Sequence, residues 1–170
     1  MLTDEQIAEF AVDLAANQDP DIVDALVNGR TGFIAKWYNQ EAVPAYWVFK
    51  TSVTTDDARK AFDWEEILTG APVDALNRWA FDTLMANGDF DPSSENNRNG
   101  LARMFTGQPN TKLNILAAST RKGSKIEKLF AQAATGPGGG DGSAQTAAAV
   151  AVFVGEVTTE DVQKAIVLIP

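Results

Sequence analysis

Four polar side chains at alternating positions resemble the first ligands of a calcium-binding loop: Asn87, Asp89, Asp91 and Ser93. Such a loop requires a glycine where this chain has Pro92 and a bidentate acid where it has Arg98. Asn, Asp and Ser are also the residues that cap helices and close turns. The spacing therefore indicates the end of one helix followed by the start of another, and not a metal site.

Two other groups of residues could suggest a binding or catalytic site, but each has a structural explanation. The glycine tract Gly136–Gly142 lacks the Gly-Lys-Ser/Thr sequence and the spaced glycine triplet of phosphate-binding loops. The acid pairs Asp56/Asp57 and Glu65/Glu66 are adjacent in sequence, and adjacent residues do not face each other on a helix. They are typical of helix first turns, where acids are favourable. A hydrolase that uses two carboxylates remains an alternative, but no residue of the sequence favours it.

The composition narrows the function further. The chain has 170 residues with no histidine and no cysteine, which excludes disulfides, thiolate metal sites and nucleophile–histidine pairs. We therefore expect neither an enzyme nor a cofactor. The net charge of −9 argues against nucleic acid as the main partner, because phosphate binding needs a cationic surface. The longest strongly apolar run, Ala147–Val154, is too short to span a bilayer, so no membrane partner is expected.

Charge is distributed unevenly along the chain. Residues 1–29 contain seven acidic side chains and no Lys or Arg, whereas residues 98–128 contain seven basic side chains and Glu127 as the one acid. Opposite poles would suit head-to-tail packing of identical subunits, and two solvated faces of a monomer explain the pattern as well. The predicted interface residues are Asp4, Glu5, Asp13, Asp21, Asp24, Arg98, Arg103, Arg121, Lys122 and Lys125, with Val150, Val152 and Val154 from a predicted strand.

The elements that would position these residues are mostly helices. Capping boxes at Thr3–Gln6 and Ser124–Glu127 predict two helix starts, and Thr158 or Thr159 predicts a third. Residues 30–46 are predicted as a packed loop with a short helical turn. Two helices are expected to meet at a corner within Pro72–Phe105.

The first corner helix is predicted to start at Pro72 and to end at Gly88. Its apolar face is predicted to carry Leu76, Trp79, Ala80 and Leu84. The second is predicted to start at Asp91-Pro92 and to stop at Gly107.

The fold class predicted is mainly α, a bundle of about six to eight helices with a small β-hairpin or an extended C-terminal strand. Residues 1–135 are expected to form a helical body and residues 157–170 a C-terminal helix that packs on it. Between them, residues 136–156 are predicted as a Gly-rich flexible loop and a strand within Gln145–Val154. Gly136–Val154 is expected to be mobile in the free chain and to become ordered on assembly. Within it, Gly136–Gly142 is expected to have no residue that anchors it to a core.

Several motifs follow one another in a fixed order along the second part of the chain. The upstream motifs are Val48-Phe49-Lys50-Thr51-Ser52-Val53 and Phe62-Asp63-Trp64. The central ones are Asn77-Arg78-Trp79-Ala80-Phe81, then Asp91-Pro92-Ser93 with Asn96, Arg98 and Gly100. The last are Arg121–Ala131 and the ending Gly155–Val162 with Pro170. In this order the motifs resemble a family of small tailed-phage proteins encoded among head and tail genes, and Lys122-Gly123-Ser124-Lys125 departs from the family pattern.

The resemblance implies a virion structural protein at the head-to-tail connection. Its subunits would form a ring of about a dozen copies on the portal, made in the host cytoplasm and located in the virion. The implied partners are the chain itself, the portal protein and a neighbouring tail or head-closure protein, with DNA contact left open as a minor interaction. The alternatives are a capsid decoration or minor tail protein and, in another class, a phage-encoded enzyme or regulator acting in the host cell.

Overall fold

A computed structural model describes residues 1–69 and 73–169. Ten α-helices lie in these residues, and three of them are only five or six residues long. They are α1 (Asp4–Ala16), α2 (Pro20–Val27), α3 (Thr31–Tyr38), α4 (Thr55–Lys60), α5 (Trp64–Thr69), α6 (Ala75–Leu84), α7 (Glu95–Met104), α8 (Pro109–Ala118), α9 (Lys125–Leu129) and α10 (Thr159–Leu168). The mainly α prediction is confirmed.

Six strands of two or three residues form three two-stranded ladders in the described residues: β1 (Trp47–Phe49), β2 (Val53–Thr54), β3 (Asp89–Phe90), β4 (Thr120–Lys122), β5 (Ala131–Gln132) and β6 (Val150–Ala151). Strand β1 is antiparallel to β4, with Val48 opposite Arg121, and β2 is antiparallel to β3, with Val53 opposite Phe90. The third ladder pairs β5 with β6. The predicted strand within Gln145–Val154 is shorter than expected, because residues 145–147 form a 3-10 turn.

The described residues divide into two compact units, in place of the predicted body of residues 1–135. The first unit comprises Met1–Pro44, Gly123–Ala131 and the residues from Ala151 onward. Its core contains Phe10, Leu14 and Ile22 of the first two helices, with Val162 of α10 among the residues that complete it. Helix α10 packs on α1 and α3 within this unit.

The second unit comprises the described residues of Ala45–Lys122 and Gln132–Val150. Its core includes Val53 of β2, Phe81 of α6, Leu101 of α7 and Ile115 of α8. Helix α6 packs against α7 in this unit, so the predicted pair of corner helices exists.

Both corner helices start later than the sequence pattern predicts. Helix α6 begins at Ala75, where the Asp74 side chain accepts a hydrogen bond of 2.7 Å from the Asn77 N–H. Pro72, the predicted first residue, lies outside the described residues. Helix α7 is capped by Ser94 and not by Asp91, because the Asp91 carboxylate accepts a local hydrogen bond from the Ser93 N–H.

Both corner helices also end earlier than predicted. Helix α6 stops at Leu84, and the predicted cap Gly88 closes a separate turn with φ of 88°. Its N–H donates to the Met85 carbonyl in that turn. Helix α7 stops at Met104, three residues before the predicted end at Gly107.

Short-range capping predictions elsewhere are confirmed. Thr3 and Gln6 form the expected capping box of α1, and Ser124 and Glu127 form that of α9. Thr158, one of the two residues considered, caps α10 together with Asp161. The predicted packed loop at residues 30–46 instead contains the two-turn helix α3.

Candidate subunit-interface site

Helix α6 carries large apolar side chains that its own unit does not cover. Leu76 is 70% exposed and Trp79 is 64% exposed. The prediction that they form the buried stripe is wrong, because Phe81 and the following Met85 point to the core instead. At 100° per residue, this burial places Trp79 on the opposite, outward side of the helix. Uncovered aromatic and aliphatic side chains of this kind mark protein–protein contact sites.

A groove between α6 and α7 runs beside this outward face. Its volume is about 270 Å³, and its lining includes Trp79, Leu84, Asn96, Asn97, Gly100 and Met104. Gly100 lies in the middle of α7, where glycine is unfavourable compared with alanine. A Cβ atom at this position would contact the Met104 Cε atom at 3.7 Å, an ordinary separation, and no other side chain. Packing inside the described residues therefore does not require a glycine here.

Arg78 and Asp82 lie one turn apart on the exposed side of α6. Neither side chain has an ion-pair or hydrogen-bond partner among the residues that the structure describes. The outward face of α6 therefore combines an apolar centre with one unpaired charge of each sign.

Arg98 is the clearest correction among the predicted interface residues, because it is only 1% exposed. Its Nη1 atom donates to the carbonyls of Pro92 and Ser93, each at 2.7 Å. Its Nη2 and Nε atoms donate to the carbonyls of Thr135 at 2.5 Å and Pro137 at 3.1 Å. A buried side chain with these partners is not available to a neighbouring subunit.

Arg98 also explains what holds the start of the glycine tract. The guanidinium lies over the Phe49 ring at 4.2 Å from the centroid, and burial lowers the pKa of Arg98. The Gly142 carbonyl accepts from the Trp47 N–H, and Ala149 pairs in parallel with Val48 of β1. The expectation that the tract has no anchor is therefore wrong. Its mobility in solution remains a prediction.

The predicted acidic residues of the first unit are in different environments. Asp4, Glu5 and Asp21 are exposed on α1 and α2. Asp24 forms an ion pair with Arg30. Asp13 is half-buried and accepts a hydrogen bond of 2.6 Å from the Tyr38 hydroxyl, and burial followed by this bond raises the pKa of Tyr38 above its usual range.

An open groove of about 590 Å³ in the first unit has both acids and amines in its lining: Asp13, Asp19 and, from α9, Lys125 and Lys128. The Lys125 Nζ atom lies 3.4 Å from the centroid of the Trp37 ring. Burial lowers the pKa of Lys125, and the charge of Asp19 opposes that shift. Part of the charge complementarity that the sequence assigns to neighbouring subunits is therefore satisfied within one chain.

The remaining predicted residues lie on the surface or at its margin. Arg103 of α7 and Lys122 of β4 are exposed, and Arg121 is half-buried. Val150 is half-buried in β6, whereas Val152 and Val154 are about half exposed. These residues are therefore at least partly accessible, and they are divided between the two units.

The adjacent acid pairs have structural partners. Asp56 forms an ion pair of 2.5 Å with Lys60 one turn along α4. The Glu66 carboxylate accepts from the N–H groups of Asn110 and Thr111, at 2.9 and 2.7 Å, at the start of α8. Glu66 thus caps a second helix, a contact that adjacency in sequence does not predict.

No group of three acidic, histidine or cysteine side chains suited to hold a metal ion occurs in residues 1–69 and 73–169. Within the same ranges, no helix has the length and apolar character needed to cross a membrane. No protein-family model, no curated protein sequence and no solved structure matches the chain.

Proposed function

We propose that this chain is a structural subunit of a tailed-phage particle. It acts at the head-to-tail connection, where copies pack side by side into a ring on the portal. The observation that carries the proposal is the outward face of α6, where Trp79 and Leu76 are mostly uncovered. A folded chain with such a face acts by contact with other proteins, because burying these side chains releases water from apolar surface.

The charged surfaces support contact between copies in the ring. Asp4, Glu5 and Asp21 are exposed acids of α1 and α2, whereas Arg103 and Lys122 are exposed cations of the second unit. A cyclic ring requires two different surfaces that meet head to tail. Exposed acids in one unit and exposed cations in the other fit that requirement, and attraction between them would bring the subunits into register.

The motif resemblance supports a phage particle, and its connector, as the setting of these contacts. The order of Val48–Val53, Asn77–Phe81 and Arg121–Ala131 resembles that of the phage family described above. A decoration or minor tail protein would use similar surfaces at another place and in another number of copies. A connector and these alternatives therefore differ in the number of copies of the chain in each particle.

Deletion of the gene in a phage that encodes this chain tests the proposal. We expect filled heads and free tails to accumulate without joining, as seen by electron microscopy of the lysate. The wild-type gene supplied from a plasmid should restore infectious particles. Complete, infectious particles in the deletion strain would refute a connector role.

A further inference from the structure

We propose that Asn87 is a site of spontaneous covalent modification, because the fold directs deamidation of the chain to the turn between α6 and β3. The product is aspartate or isoaspartate at position 87. The inference does not depend on the proposed place in the particle, since it rests on the chemistry of one turn in the second unit.

The reaction joins the side chain of an asparagine to the backbone nitrogen of the next residue. That nitrogen attacks the asparagine Cγ atom, the Cγ–Nδ2 bond breaks, and Nδ2 leaves as ammonia with the proton that the backbone nitrogen loses through solvent. Water then opens the resulting succinimide ring at one of its carbonyls. One opening gives aspartate, and the other gives isoaspartate, whose main chain has an extra methylene group. Glycine favours the attack, because it has no Cβ atom and the widest choice of backbone angles.

The sequence contains three Asn-Gly pairs in different local structures. Asn28-Gly29 lies at the end of α2, Asn87-Gly88 lies in the turn after α6, and Asn99-Gly100 lies inside α7. The reacting pair of residues is the same at each position. A difference between their rates in the folded chain therefore reports how the fold restrains each pair.

The pair Asn99-Gly100 is protected by its helix. Helix α7 extends from Glu95 to Met104, so the Gly100 nitrogen lies in the middle of a hydrogen-bonded helical backbone. The Asn99–Gly100 peptide must leave the helical conformation before this nitrogen can reach the Asn99 Cγ atom. Reaction here therefore requires local opening of α7, and only the open fraction reacts.

The pair Asn28-Gly29 is restrained through the side-chain amide. Its Nδ2 atom donates to the Asp24 carbonyl at 2.9 Å and to the Asp24 carboxylate at 2.8 Å. These hydrogen bonds hold the amide against the preceding helical turn, whereas Gly29 follows in the chain. They must break before the ring can close, and the one to the carboxylate is of the stronger, charge-assisted kind.

The pair Asn87-Gly88 has neither restraint. Both residues are exposed, and the Asn87 side chain has no hydrogen-bond partner among the residues that the structure describes. The space beside Gly88 is open, since a Cβ atom there would meet nothing within 4 Å. The Gly88 N–H donates to the Met85 carbonyl at 2.9 Å, and this bond belongs to an exposed turn that opens more easily than a helix interior. Asn87 is therefore the most reactive of the three asparagines.

Isoaspartate at position 87 disturbs the ladder between β2 and β3. The Gly88 carbonyl accepts hydrogen bonds from the Thr55 N–H at 2.9 Å and from the Thr55 hydroxyl at 3.0 Å. An extra methylene group in the turn displaces this carbonyl, and the new carboxylate lies close in sequence to Asp89 of β3. The isoaspartate form should therefore be less stable than Asn87→Asp, which adds the charge without lengthening the main chain.

Peptide mapping by mass spectrometry, after incubation of the full chain at mildly alkaline pH, measures the rate at each pair. Asn87 should deamidate at least about 10-fold faster than Asn99, because opening a helix interior costs more than opening an exposed turn. Asn28 should react at an intermediate rate. Incubation in guanidinium chloride is the control, because unfolding removes the restraints and should bring the three rates together.

Two variants test the assignment. Asn87→Gln keeps an amide but would require a larger ring, so deamidation at position 87 should fall to background while the other two rates stay the same. Asp24→Ala removes the carboxylate that holds Asn28, so the rate at Asn28 should rise and that at Asn87 should not change. No change at Asn28 would contradict the role given to these hydrogen bonds.

The rates in the folded chain decide the proposal. Equal rates at the three pairs, or a faster reaction at Asn28 or Asn99 than at Asn87, would overturn it. The same order of rates in guanidinium chloride would overturn it too, because the fold would then not be the cause. Thermal unfolding of the purified isoaspartate form should give a lower midpoint than Asn87→Asp, and equal midpoints would refute the disturbance of the ladder.

Discussion

Arg98→Ala removes the side chain that ties the start of the glycine tract to α7. Its four hydrogen bonds come from a charged group, and at about 1.5–3 kcal/mol each they would sum to about 6–12 kcal/mol. That sum is as large as the whole stability of a typical domain, about 5–15 kcal/mol. The cost of burying the guanidinium must therefore offset much of it, in agreement with the burial that lowers the pKa of Arg98. Arg98→Ala leaves these neutral carbonyls without their donor, which costs about 1–3 kcal/mol for each one that stays buried, and it also removes the cost of burying the charge. We therefore expect a net loss of about 3 kcal/mol, at the upper end of the usual range for point mutations.

Thermal and urea unfolding of the wild type and Arg98→Ala measure this effect. A loss of about 3 kcal/mol in a chain of this length corresponds to a fall of about 6–12 °C in the thermal midpoint. Arg103→Ala is the matched control, because Arg103 is an exposed arginine of the same helix. Its unfolding free energy should stay within about 0.5 kcal/mol of the wild type.

Hydrogen exchange locates the effect within the chain. The N–H groups of Ala134, Gly140 and Ala148 donate to backbone carbonyls of the same segment. These amides should exchange faster in Arg98→Ala, and amides of the first unit should not change. The reasoning is refuted if Arg98→Ala unfolds within about 1 kcal/mol of Arg103→Ala, or if the segment keeps its protection without the guanidinium.

Three further predictions concern pH, backbone conformation and salt. Burial opposes ionisation of Asp161, but hydrogen bonds from Thr158 and from the Leu2 N–H outweigh it and hold the pKa of Asp161 below its usual value. Its stabilising contribution is therefore present above about pH 4, the unfolded pKa, and is lost as pH falls through the folded pKa. Asp161→Asn should cost about 0.5–1.5 kcal/mol at neutral pH, because an amide oxygen accepts these hydrogen bonds less strongly than a carboxylate does. Urea unfolding should show this difference shrinking below about pH 4, and a constant difference would contradict it. Gly142→Ala should lower the unfolding free energy by at least about 1 kcal/mol, because Gly142 has a φ of 84° and a Cβ atom would overlap the Tyr46 ring. An unchanged thermal midpoint would count against this prediction. Raising salt from low to physiological strength should reduce ring assembly in light scattering, since exposed charges are screened, and salt-independent assembly would argue against charged contacts between copies.

The predictions that succeeded depend on neighbours in sequence. The capping boxes at Thr3 and Ser124 are complete within four residues, so their hydrogen bonds follow from residue type and spacing. The mainly α class follows from the same local signals repeated along the chain. Short-range physics therefore accounts for the starts of α1, α9 and α10, whereas α6 and α7 start and end at other residues than predicted.

The predictions that failed depend on which side of an element the rest of the chain covers. Helix α6 has apolar residues on two sides, and only the distant packing of Phe81 decides that Trp79 faces outward. Arginine is a residue type that usually lies on the surface, yet Arg98 is buried and donates to carbonyls of residues 135–137.

The copy number of this chain in purified phage particles tests the central claim most directly. Quantitative mass spectrometry against the major capsid protein measures it. About a dozen copies would agree with a closed ring at the unique vertex, as cyclic symmetry requires. Hundreds of copies would contradict a connector in favour of decoration or a tail role, and absence from the particle would contradict a virion role altogether.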